Sequence, residues 1–98
     1  MKGPLIYYNI HETYGSDLSS TKLASELRTS ILEDIELGFD VEVDFKGVRS
    51  ISGGWARNSF GIIVRDNDED FFKRHIKVVN ANKNVRKTIL EGIGEVLD

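Results

Sequence analysis

The stretch Phe39–Phe45, "FDVEVDF", alternates apolar and acidic residues without a break. Successive side chains of a strand point to opposite faces. This spacing therefore puts Phe39, Val41, Val43 and Phe45 on one face and Asp40, Glu42 and Asp44 on the other. The acidic face is either exposed or close to a functional edge. After a turn come Ser50-Ile51-Ser52-Gly53-Gly54 and a segment at helical period. A strand that feeds a helix through a short glycine-containing loop points to an α/β domain.

The rest of the chain repeats the alternation. Leu5–Ile10, "LIYYNI", reads as a strand with apolar groups on both faces, which suits one covered on both sides. "HETYGSDLSS" reads as a polar connection. Ser20–Leu37 reads as the longest helix. Leu23, Leu27, Ile31 and Ile35 recur every four residues, flanked by Ala24 and Leu32. Ser19 or Ser20 caps it, and Gly38 supplies a left-handed residue after the last turn. A second helix runs from Gly54 or Trp55 to Val64, with Trp55, Ala56, Phe60, Ile63 and Val64 as its inner face. Asp68–Arg74 forms a short helix carrying Phe71 and Phe72. Ile76–Asn80 is a strand closed by Asn80. Asn82–Val96 is the last helix, with Val85, Ile89, Ile93 and Val96 as its stripe and Gly92 and Gly94 weakening it. This order predicts a single small α/β domain over residues 1–98. Its sheet should be mainly parallel, of about four strands, with right-handed crossovers.

Composition narrows the function classes. The chain has 98 residues, which makes one domain the expectation. A net charge of −3 argues against broad nucleic-acid or acidic-membrane binding, because no positive field exists to release counterions. With no cysteine, disulfides, thiolate nucleophiles and cysteine-based zinc sites are excluded. No apolar run approaches the roughly 18 residues of a membrane span. "MKGPLIYYNI" lacks a small-residue cleavage site, so a cytoplasmic protein is expected.

The Ser50–Gly54 loop sits at a strand-to-helix junction, where open α/β sheets place their ligands. Free N–H groups at the helix start could hold an anion. Yet the loop matches neither G-x-x-x-x-G-K-[ST] nor G-x-G-x-x-G, and it has no lysine to reach a phosphate. A turn that needs glycine dihedrals is the simpler reading. Neither His11 nor His75 lies in a nucleophile motif, so no catalytic triad is expected. His11 reads as a solvated loop residue and His75, in "KRHIK", as part of a charged helix end. Asp66–Asp70 lacks the glycine and distal glutamate of a calcium loop and reads as a solvated acidic turn. No metal or cofactor is expected. Basic residues at Lys73, Arg74 and Lys77, and at Lys83, Arg86 and Lys87, oppose the acidic Glu33–Glu36 stretch. The chain is dipolar rather than basic, and a charge-complementary protein contact could use this.

Together "VEVDFKGVRSISGGWARNSFGIIV" and "IKVVNANKNVRKTI" resemble the small STAS-like domains of bacteria and archaea, which are related to anti-sigma factor antagonists. The resemblance rests on Asp44-Phe45, Gly47-Val48, Ile51-Ser52, Trp55-Ala56, Phe60-Gly61, Asn80-Ala81-Asn82 and Val85. Upstream, "YGSDLSSTKLASELR" fits the approach to that family's first helix. It implies a STAS-like sheet and a non-enzymatic, regulatory role in binding another protein, such as a kinase-like ATPase. In anti-sigma factor antagonists a partner kinase phosphorylates a serine at the start of the helix after this strand. Here that position holds Gly54, and Arg57 and Asn58 stand where many relatives have acids. Ser52 is the candidate phosphorylation site, with Ser50 as its neighbour. The implied contact surface is Ser50, Ser52, Gly53, Gly54, Trp55, Arg57 and Asn58. The alternative is a nucleotide- or anion-binding domain using the same helix start. Self-association into a homodimer is left open.

Overall fold

The computed structural model describes residues 4–97, with side chains through residue 94. Strand β1 (Leu5–Asn9) leads to a short helix α1 (Ile10–Tyr14) and then β2 (Asp17–Leu18). Helix α2 (Thr21–Glu36), β3 (Asp40–Asp44) and β4 (Ser50–Ile51) follow. Next come α3 (Gly53–Ala56), a π-helical turn (Arg57–Gly61), α4 (Ile62–Asp66), α5 (Glu69–His75), β5 (Ile76–Val79) and α6 (Lys83–Leu97). The three longer strands form a parallel sheet in the order β1-β3-β5, and β2 pairs with β4 as a separate parallel ladder. The α/β architecture and the parallel sheet follow the sequence reading; among the described residues the strands number five, in two sheets, rather than about four in one.

One face of the main sheet makes the core. Ile6, Tyr8, Val41, Val43, Ile76 and Val78 join the buried cluster. The other face is polar: Tyr7, Glu42 and Lys77 lie side by side in register, and Tyr7 is 53% exposed. β1 is therefore covered on one side and not on both. Its apolar outward residues, Leu5 and Tyr7, are exposed. The acidic face of β3 is stitched rather than bare. Asp44 accepts from the Tyr7 hydroxyl, from Asn80 Nδ2 at 3.0 Å and from Lys46 N–H at 2.9 Å, and Asp40 contacts His75 Nδ1 at 2.8 Å. The Tyr7 hydroxyl, followed by the Asn80 amide and the Lys46 N–H, holds the Asp44 carboxyl below the usual carboxylate range. Asn80 adopts a left-handed conformation, φ 58°, as asparagine tolerates, and this aims its amide at Asp44.

The end of β1 differs from the sequence reading for a local reason. β1 ends at Asn9, whose side chain accepts from Glu12 N–H and starts a helix, so Ile10 is a buried helical residue. His11 consequently lies on α1, with Nε2 3.1 Å from Ser16 Oγ, and not in a loop. On α2 Ser20 is the cap and Gly38 has φ 99°, as expected. The fully buried side is Ala24, Leu27 and Ile31, while Leu23 is 38% exposed. The stripe is turned slightly toward Ala24. The expected inner face of the second helix is buried throughout. Val85 and Ile89 are buried and Ile93 packs against the core; the side chain of Val96 lies outside the described residues.

The acidic segment has local work. Asp68 caps α5 by accepting from Phe71 N–H at 2.7 Å. Glu69 and Asp70 sit in that helix's first turn and pair with Lys73 and Arg74. Acids at the start and bases at the end match the helix dipole. Among the described residues, no helix is long and apolar enough to cross a membrane.

Candidate functional site

The Ser50–Gly54 loop is more ordered than its composition implies. Ser50 and Ile51 form β4, paired with Asp17 and Leu18. The ladder continues to Ser52, whose N–H donates to Leu18 carbonyl oxygen at 2.8 Å. Asp17 accepts from Ser50 Oγ at 2.7 Å and from the Arg49 guanidinium. Arg49 first, then the Ser50 hydroxyl, hold the Asp17 carboxyl below its ordinary range. Because this pair is exposed, it orients the loop more than it stabilises the fold. From the other side, Asn82 Nδ2 donates to the Val48 and Arg49 carbonyls.

The helix start is built on Ser52. Its Oγ accepts from Trp55 N–H at 3.0 Å and its carbonyl accepts from Ala56 N–H at 3.0 Å. Such a cap contributes about 1 kcal/mol. Gly53 is exposed, and a Cβ built on it would meet nothing within 4 Å. Gly54 is half-buried, and its Cβ would meet only Thr21 Cγ2 at 3.4 Å and Ser52 Oγ at 3.9 Å. Neither glycine has a positive φ. They are not needed for a special turn, so the expectation of unusual dihedrals here does not hold. What they do is leave a side-chain-free shelf at the helix start.

Beneath the shelf lies an aromatic cluster. Trp55 is 1% exposed and meets Phe45 and Phe60 edge to face, with ring centroids 6.0 and 6.2 Å away. Trp55 thus belongs to the core and cannot be a surface anchor. Asn58 also works inward: its Nδ2 donates to the Gly54 carbonyl at 2.7 Å, and its own carbonyl accepts from the Arg28 guanidinium. Of the anticipated contact set, Ser50, Gly53 and Arg57 are exposed, while Ser52 and Gly54 are half-buried.

The π-turn Arg57–Gly61 departs from the continuous helix that the periodicity predicts. Ile62 N–H reaches back five residues to the Arg57 carbonyl. Within it the buried Ser59 hydroxyl donates to Trp55 carbonyl oxygen at 2.8 Å. Single π-turns inside α-helices occur often at functional sites. The only sequence sign was a buried-side serine within an apolar helix, which periodicity cannot distinguish from a solvent-facing one.

The model of the STAS-like domain of unknown function (DUF4325) matches residues 24–86, well over half of the chain. The match includes the shelf, the π-turn and the sheet's last two strands, but not the "YGSD" stretch upstream. No curated protein and no solved structure matches significantly. With β3, the Ser52-capped helix and the β5-to-α6 junction all inside the matched span, the chain belongs to the family of STAS-like domains of unknown function.

Proposed function

We propose that this chain is a non-enzymatic regulatory module that binds a protein partner through the shelf of Ser50, Ser52, Gly53 and Gly54, with Arg57 beside it. The observation that carries this reading is Gly53: exposed, helical, and with open space where a side chain would be. The shelf is held by the β2–β4 ladder, the Asp17–Arg49–Ser50 network and the buried Trp55. An exposed surface already held in one conformation loses little entropy on binding. The resemblance to anti-sigma factor antagonists favours a kinase-like ATPase as partner and a cytoplasmic setting. The nucleotide or anion alternative rests on the same helix start and gains no separate support.

A photo-crosslinking residue placed at Gly53, in the cells that make the protein, tests this. The expected result is one dominant adduct from position 53 and none from the same residue placed at Lys77, exposed on the outer face of the sheet. Equal labelling from both positions, or none from position 53, would overturn the reading.

A further inference from the structure

Two exposed leucines lie in opposite electrostatic surroundings. Leu37, 75% exposed, follows α2 and shares its surface with Glu33 and Glu36. Leu90, 63% exposed, lies on α6 among Lys83, Arg86 and Lys87, with Glu91 the one acid there among the described residues. Beside Leu90, a groove of about 230 Å³ opens between α5, the end of β5 and α6. Phe72, Val78, Ile89 and Ile93 line it, together with the exposed Arg86.

Both charge sets oppose their own helix. The last turn of α2 has no basic residue, so Glu33 and Glu36 sit near the carbonyl end unrelieved by a cation on that turn. The first turn of α6 has no acid, and Lys83 opens it. Acids are favoured at helix starts and bases at helix ends, so each placement is disfavoured within one molecule. Topology keeps the two apart. α2 ends just before β3 begins, and α6 begins just after β5 ends. β3 and β5 run parallel, so the patches lie toward opposite ends of the sheet.

We propose that a second copy of this chain docks here, its Leu37 end in the α6 groove, with Glu33 and Glu36 against Arg86 and Lys87. In this contact each copy gives its Leu37 end to one neighbour and its groove to the next, so it repeats head to tail as a heterologous interface. An exposed, charge-rimmed contact of this kind is weakened by salt.

Sedimentation velocity on the full chain tests this with Leu37→Lys and Leu90→Lys. Both side chains are exposed, so both variants are expected to fold, which circular dichroism checks. The wild type should gain average mass with concentration at low salt and lose it at about 0.5 M salt. Each variant alone should associate at least about tenfold more weakly, a change of roughly 1.4 kcal/mol. Mixed together they should stop at a dimer, because each supplies the surface that the other lacks. A wild type that stays monomeric throughout overturns the proposal and assigns the groove to a different, acidic partner. Variants that associate like the wild type, or a mixture that grows beyond dimers, overturn it equally.

Discussion

Gly61 and Gly92 meet backbone to backbone: a Cβ on Gly61 would lie 2.7 Å from the Gly92 carbonyl oxygen. A Cβ on Gly92 would in turn lie 2.8 Å from Ala56 Cβ. The π-turn and α6 therefore leave no room for a side chain at either glycine, and the helix that follows the shelf rests on α6. Gly92→Ala and Gly61→Ala should each destabilise by about 1–3 kcal/mol through overpacking. Gly94 has nothing within 4 Å of its would-be Cβ, so Gly94→Ala should stabilise by up to about 1 kcal/mol. Urea denaturation of the three variants checks the contrast.

This contrast marks a limit of reading the chain. In the sequence, Gly92 and Gly94 are two equivalent weak points of one helix. Only their neighbours separate them, and those neighbours come from a segment more than thirty residues away. The alternation of Phe39–Phe45, the Ser20 cap and Gly38 were legible because each rests on local geometry. β2 and β4 were not, since two residues carry no periodicity and each strand exists only through the other. The same holds at the site. The place of the shelf was legible from its strand-to-helix junction, whereas the inward turn of Asn58 and the π-turn depend on tertiary hydrogen bonds.

Leu27 is fully buried in α2, while Leu23, one turn earlier, is 38% exposed. Leu27→Ala should lower stability by about 2–5 kcal/mol. Leu23→Ala should lower it by no more than about 1 kcal/mol. Chemical-denaturation midpoints for the pair decide whether the buried side of α2 is centred on Leu27.

Tyr8 donates to Asp34 and is within 2.8 Å of Ser30 Oγ on α2. Burial, then the Asp34 bond, push its phenol up from 10.0 to about 12. The folded state thus holds this proton more tightly than the unfolded chain does. The resulting stability is fully present below pH 10 and is lost as pH rises through about 12. Tyr7 and Tyr14 are also held above the usual phenol range, but Tyr8 furthest, so ultraviolet titration should show a last-titrating phenol that disappears in Tyr8→Phe.

The Ser52 hydroxyl is engaged as a helix cap, so stoichiometric phosphorylation by a partner kinase is not expected there. Intact-mass measurement after incubation with that kinase should show unmodified protein. Ser52→Ala should still lower stability by about 1 kcal/mol through loss of the cap.

The affinity of the partner captured at position 53, compared between wild type and Gly53→Arg, decides whether the shelf is the binding surface. The open space around Gly53 lets the arginine in without disturbing the fold, which matched denaturation curves would verify. The shelf account predicts at least about tenfold weaker binding, roughly 1.4 kcal/mol. Equal affinity with an equally stable fold would contradict it.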